Sequence, residues 1–394
     1  MPLRFLTAGE SHGPALTVVV EGLPAGVPVI REAIDRDLRR RMGGYGRGGR
    51  MKIEADRVEI LGGVRFSRTL GSPVALGIAN RDHGNWLEAM AVEGPPPEGA
   101  RARPVTRPRP GHADLAGALK YGTHDAREIL ERASARETAA RVAAGALARA
   151  LLAAAGIEVT SRTLSVGSVS DLDPDDGDGP LFERLRALPD DAPFRAYDPE
   201  RSVAMTAEVD RVRSVGDSIG GSFEVLARGV PPGLGSHVHW DRRIDGRIGG
   251  ALLSIPAVKA ASVGEGIESS ARRGSETHDP IGWEPSDRRF TRSTNRAGGI
   301  EGGMTNGETL RVRGYLKPLA TLARPLPSVD LVTKEPSEAA VERTDTIPIV
   351  AAGVVGEAMA CLVLADELLI KFGGDRLEET LRNLAAYRGS LEAY

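Results

Sequence analysis

The most constraining stretch of this 394-residue chain is the run from Thr346 to Leu369, TIPIVAAGVVGEAMACLVLADELL. It is long enough for a helix that crosses a bilayer, which takes about 20 residues. Glu357 stands at its centre, however, and many of its residues are small, a combination that a membrane span rarely tolerates. The run is therefore read as a helix buried within the protein, which needs other layers of structure on every side. A second segment makes the same demand. In SARETAARVAAGALARALLAAAG, Ser134 and Glu137 have capping-box spacing, the body is rich in Ala and Leu, and Gly156 is placed to end the helix. Small residues on nearly every face fit a helix packed closely on several sides.

The surrounding layers carry a different signal. From Phe5 to Val20, and again at Val58 to Ile60 and Val74 to Ile78, short β-branched runs are separated by Gly and Pro, which predicts strands and tight turns. RSVAMTAEVDRVRSVGDSIGGSFEVLARGVP reads as two β-like runs around a Gly-rich connection, and GGMTNGETLRVRGYLKP as another hairpin-like unit. The fold class is α+β, with no repeat at solenoid spacing and no linker that stands out as a boundary, and the length allows one large domain or two to three ordinary ones. Between about 165 and 200 the chain turns acidic and Pro-rich, which suggests a solvated surface excursion. Counted from Asp171, it fails as a calcium loop, because Asp176 stands where Gly is needed and Phe182 where an acid is needed.

A formal charge of −3 supplies no global field for nucleic acid or an anionic membrane, so anion binding must come from local arginine clusters. The single cysteine, Cys361, lies in the apolar run as an inert buried thiol and fits a reducing cytoplasm. MPLRFLTAGE lacks the pattern of a secretory signal.

Three clusters could carry chemistry. Gly9-Glu10-Ser11-His12-Gly13 matches the G-x-S-x-G elbow of serine hydrolases, but Pro14 and ALTVVV continue as strand, and no strands precede LRFLTA. RRRMGGYGRGGRMK, with Arg40, Arg41, Arg47 and Arg50, either aims guanidinium forks at an anion or binds RNA as an Arg/Gly tract. RPRPGHADLAGALKYGTHDAREILERASARE places Arg107 and Arg109 before His112, and Arg132 and Arg136 around the start of the strong helix, where an anion beside Ser134 is stabilised. A histidine among basic residues is a candidate acid for a departing phosphate. His237 and His239 have H-x-H spacing without an evident third ligand, and are read as structural histidines near a turn.

Together, GESHG, RPGHADLAGALKYG, ERASARETAARVAAGA, GDSIGG, GLGSHVHWDR, LSIPAVK, NRAGGIEGGMTNGE, LKPLATL and RTDT resemble the chorismate synthase family, in its order and over most of the chain. The resemblance implies a single β-α-β sandwich with central helices between antiparallel sheets, assembled as a homotetramer. It also implies a lyase of the shikimate pathway that converts 5-enolpyruvylshikimate 3-phosphate to chorismate by 1,4-anti elimination of phosphate, dependent on reduced FMN. The monofunctional type is implied, with reduced FMN supplied from outside by an external flavin reductase, or with NADPH as the electron source.

Carried over position by position, the resemblance makes His12 the acid near the leaving phosphate and His112 the acid near flavin N1. Asp345 would act with flavin N5 in removing the substrate C6 proton. Flavin-binding positions would be Arg132, Ala133, Ser134, Pro256, Ala257, Gly302, Lys317, Pro318, Leu319, Ala320, Thr321 and Arg343. Arg41 and Arg47 fall where the family binds a nicotinamide phosphate or substrate anion, and Ser11, Arg50, Arg109 and Arg136 are substrate-binding candidates. No metal is implied. The chain departs from the family at Ala133, Pro256 and Ala260, where contacts would run through backbone or shape.

Overall fold

Two antiparallel sheets enclose a helical layer in the computed structural model, which describes residues 2–394 except 49–54, 96, 98, 172–176, 287 and 343–344. The first sheet contains β1 (Arg4–Ala8), β2 (Ala15–Glu21), β3 (Val58–Gly62) and β4 (Val74–Ala79), in the order β1-β2-β4-β3. The second contains β5 (Glu158–Val166), β6 (Val169–Ser170), β7 (Gly221–Arg228), β8 (Val258–Val263) and β9 (Leu310–Leu316), in the order β8-β9-β7-β5-β6. β2 alternates as such a layer requires. Leu16, Val18 and Val20 are buried, whereas Val19 between them is exposed.

The helices of the chain are α1 (Arg31–Met42), α2 (Asp114–Tyr121), α3 (Arg127–Ala133), α4 (Thr138–Ala154), α5 (Asp178–Ala187), α6 (Pro199–Ser214), α7 (Ile244–Leu253), α8 (Ile349–Phe372) and α9 (Leu377–Glu392), besides shorter helical turns. The two segments singled out in the sequence become α4 and α8. They pack on each other, α4 against the first sheet and α8 against the second. Small residues set the spacing. A Cβ on Gly145 of α4 would lie 2.4 Å from the Cβ of Ala358, and one on Gly356 of α8 would lie 2.5 Å from the Phe223 ring on β7. Gly156, in the left-handed region at φ +77°, follows the end of α4, while Ser134 caps a 3-10 turn (Ala135–Glu137) that precedes it.

α8 is apolar and long enough to cross a membrane, yet it is buried within the molecule. Glu357 at its centre accepts two hydrogen bonds from Arg40, one from Arg149 and one from Ser161, at 2.6–2.8 Å. Burial pushes this carboxyl up, but the two arginines hold it far below the usual carboxylate range. Cys361, one turn on, is buried and its thiol is pushed up to about 12 by desolvation.

Several sequence expectations are corrected. Among the described residues, the excursion after Ser165 is not a solvated loop throughout. α5 buries Leu181, Phe182 and Leu185 against Leu226 on the outer face of the second sheet. Two of its described acids face arginines of that sheet. On that face Glu224 stands in register between Arg162 and Arg313 and also pairs with Arg311, so the arginines outnumber it. Asp171 and Asp178 of the excursion pair with Arg162 and Arg311. RSVAMTAEVDRVRS is α6 rather than strand: Asp198 caps it, Pro199 opens it, and Met205, Val209 and Val212 form its buried face. GGMTNGETLRVRGYLKP is not one hairpin either, because β9 pairs with β7 and β8, while Met304–Thr305 pairs with Ile300–Glu301. His237 and His239, by contrast, lie in a loop near a turn as expected, both exposed, and His239 Nδ1 contacts Asp241 at 2.6 Å.

Candidate active site

The pentad GESHG joins β1 to β2, two antiparallel neighbours. A nucleophile elbow needs a strand running into a helix, and Ser11 is buried besides, so the hydrolase geometry is absent. The turn is tight enough to specify its first residue: Gly9 has φ +104°, and a Cβ there would meet the carbonyl oxygen of Ala15 at 2.3 Å.

Side chains from α3 and from residues 80–86 converge on this turn and hold His12. Asn80, just after β4, donates to the carbonyls of Glu10 and Gly13 at 3.0 and 2.7 Å. Arg132, at the end of α3, donates to the carbonyls of Gly9 and Thr7 at 2.9 and 3.0 Å. Glu131 accepts from the His12 backbone N–H at 2.8 Å and lies 2.8 Å from Nδ1 of its ring. The imidazole stacks on Trp86, with centroids 3.9 Å apart and planes 23° apart. Nε2 lies 3.9 Å from Asp82.

A buried charge cluster adjoins the turn through Asn80, whose Oδ1 accepts from Arg136 Nε at 2.9 Å. Arg136 donates to both oxygens of Asp56, and Arg41 donates to one of them at 2.9 Å. Burial, opposed by Asp56 but reinforced by Arg136 and Arg47, pushes the Arg41 guanidinium down to about 10. Among the described residues, Arg41 Nε has no hydrogen-bond partner. Two buried guanidinium groups thus meet at Asp56, an arginine-rich setting suited to an anion. Nearby, Asp345 is held by Arg47 NH1 at 2.8 Å and by the Gly48 amide at 2.6 Å.

His112 belongs to a second constellation at the start of α2. Its Nδ1 lies 2.5 Å from Asp114, which also takes a paired bond from Arg109. Burial pushes the Asp114 carboxyl up, but His112 and Arg109 hold it far below the usual range. Arg109 continues to Thr321 Oγ1 at 2.9 Å, and Lys317 Nζ donates to the Gly111 carbonyl at 2.6 Å. The Lys317 amide meets the Ala257 carbonyl, where the backbone takes φ +70°. Leu319 O accepts from Ser218. Among the described residues, the amides of Leu319, Ala320 and Thr321 donate to no protein acceptor.

The structure therefore gathers Ser11, His12, Arg41, Arg132 and Arg136 around one turn and its buried charge cluster, with Arg47 and Asp345 alongside, and Arg109, His112, Ala257 and Lys317–Thr321 around the other group. Ser134 caps the turn before α4, with Ala133 beside it. Ser254, two residues before Pro256, is tied to α4 by Arg141 at 2.8 Å. Gly302 is the position not brought in. It lies at the Arg243 end of α7, whereas Pro256 follows the opposite end, about 15 Å of helix away at 1.5 Å per residue. Arg50 and Arg343 lie outside the described residues. Sequence reasoning missed Asp56, Asn80, Trp86 and Glu131. Only Glu131 carried a local signal, an acid four residues after Arg127 within a short helical run.

The comparisons with known proteins agree with one another. A family model described as chorismate synthase matches residues 3–369. A chorismate synthase from Solibacter usitatus is 55% identical over 392 residues, covering 100% of both chains. One from Symbiobacterium thermophilum is 55% identical over 393 residues, covering 99% of both. A solved structure described as the crystal structure of chorismate synthase aligns with a TM-score of 0.81 at 40% identity, covering 100% of this chain and 99% of its own.

Proposed function

The chain belongs to the chorismate synthase family, and on that premise we propose that it converts 5-enolpyruvylshikimate 3-phosphate to chorismate and phosphate, with reduced FMN as cofactor. The observation that carries this reading is the turn at His12, a histidine fixed beside two buried arginines, Arg41 and Arg136. Such a site suits a phosphate that leaves with the electron pair of its C–O bond and takes up a proton. His12 supplies that proton from Nε2, and Arg41 and Arg136 offset the negative charge as it gathers on the leaving group. Asp345, aimed by Arg47 and the Gly48 amide, accepts the proton from C6 of the substrate. His112 acts as a second acid, its ring aimed by Asp114.

The residues present fit a flavin mononucleotide. Lys317 offers a cation, and the three unengaged amides at Leu319–Thr321 offer donors to phosphate or ring carbonyl oxygens. When bound, reduced FMN supplies transient electron donation that eases loss of the allylic phosphate. Lys317–Thr321, Ala257, Pro256, Arg132, Ala133 and Ser134 would hold it, with Arg343 as a further contact; Gly302, at the opposite end of α7, is left out of this assignment. Arg47, Arg50 and Arg109 are assigned to anionic groups of the substrate, or Arg41 and Arg47 to the phosphate of NADPH. The same reading makes residues 1–394 one catalytic domain, working as a cytoplasmic homotetramer that receives reduced FMN from a separate reductase.

Four alanine variants test the site. His12→Ala, His112→Ala and Asp345→Ala should each lower kcat by about 10²–10⁴-fold, the range for a lost proton-transfer group. Ser11→Ala should lose far less. Equal residual activity in all four would overturn the assignment.

A further inference from the structure

We propose that Glu131 and Trp86 are positioning residues for His12: together they fix its ring plane and its tautomer, so that Nε2 alone faces the reaction. This rests on His12 as the acid that serves the leaving phosphate.

The geometry is specific. Glu131 is 2% exposed and receives three donors on two oxygens. Oε2 accepts from the His12 amide at 2.8 Å, and Oε1 accepts from Arg127 at 3.0 Å. His12 Nδ1 lies within 3.0 Å of both oxygens. Burial pushes the Glu131 carboxyl up, but contacts with His12 and then Arg127 hold it below the usual range, so it is ionised at neutral pH. An ionised carboxylate only accepts, so Nδ1 must carry a proton and the exchangeable position is Nε2. The Glu131 carbonyl also accepts from the Ser11 amide at 2.9 Å. One residue of α3 therefore governs the backbone and the ring of the turn at once.

Trp86 supplies what a carboxylate cannot. Hydrogen bonds to Nδ1 leave the ring free to swivel about that contact, and a stacked indole removes this freedom. Trp86 is itself fixed: Nε1 donates to Asp82 at 3.3 Å, and the guanidinium groups of Arg103 and Arg127 lie 4.2 and 4.9 Å from its ring. Arg127 thus touches both members of the clamp and pairs with Glu342 besides, three residues before Asp345. Neither Glu131 nor Trp86 needs to touch substrate to act this way.

The experiment uses the full chain with Trp240→Phe and Trp283→Phe. The chain has three tryptophans, and these two are exposed, so Trp86 remains as the sole indole. Emission from an indole responds to the group stacked on its face, here the His12 ring at 3.9 Å, so it reads the stack without any turnover. His12→Gln should shift emission, and Glu131→Gln, which replaces an acceptor oxygen by a donor, should move emission toward that level. In the turnover assay Glu131→Gln should lower kcat by about 10²-fold, as misplacement by about 1 Å does, with KM nearly unchanged. Trp86→Phe and Trp86→Leu both lose the bond to Asp82, but only Phe keeps a stacking face, so Phe should retain most of kcat and Leu should not. Unchanged emission in Glu131→Gln overturns the proposal, as does equal kcat for the Phe and Leu variants. Inactivity of every protein, the parent included, would instead refute the functional reading, while emission would still decide the positioning.

Discussion

Replacing glycine by alanine inside a helix ordinarily stabilises by about 0.5–1 kcal/mol, because the unfolded chain loses freedom and alanine favours the helix. Gly145→Ala should do the opposite. The new Cβ would sit 2.4 Å from Ala358 Cβ, 2.5 Å from its Cα and 2.9 Å from its carbonyl oxygen. Carbon atoms rest at about 3.5–4.0 Å, so α4 and α8 would have to part by about 1 Å, and neither atom set is the far end of a flexible side chain. Overpacking of this kind costs about 1–3 kcal/mol. Set against the propensity gain, the net effect is a loss of up to about 2 kcal/mol. Gly389 in α9 is the matched control, since a Cβ there meets nothing within 4 Å. Gly389→Ala should therefore gain about 0.5–1 kcal/mol. Denaturant midpoints of the parent and both variants decide the matter. If Gly145→Ala matched or exceeded Gly389→Ala in stability, the account of α4 and α8 as a layer set by glycine contact would be wrong.

The charge networks make further predictions. Asp56→Asn removes the shared counter-charge of Arg41 and Arg136 and should cost about 3–5 kcal/mol by denaturation, the range for breaking a buried pair. Glu224 is driven upward by burial, but Arg162, Arg311 and Arg313 bring it down from 4.5 to about 2. Because its folded value is depressed, its contribution is complete above about pH 4.5 and is lost as pH falls toward 2. Glu224→Gln should flatten the decline of stability across that window, and an unchanged acid profile would contradict the assignment.

What was legible in the sequence follows from range. α4 and α8 announced themselves because a helix packed on all sides must be made of small and apolar residues throughout. β1 to β4 were visible as short β-branched runs between Gly and Pro. α6 was misread because Val203, Val209, Val212 and Val215 look β-branched, while the face that decides the structure, Met205, Val209 and Val212, needs the helical period to be seen. The excursion was misread because Asp171 and Asp178 answer Arg162 on β5 and Arg311 on β9, and α5 docks on Leu226, all distant in sequence or hidden from local pattern. At the site, the histidines, arginines and Asp345 came from motifs, but Asp56, Asn80, Trp86 and Glu131 reach them only through long-range contacts such as Glu131 to His12, 119 residues apart.

The central claim is tested most directly by incubating the folded protein without oxygen with 5-enolpyruvylshikimate 3-phosphate and chemically reduced FMN. Chorismate and phosphate should form in equal amounts, with turnover lost when reduced FMN is omitted. Folded protein that forms no chorismate under these conditions would contradict it.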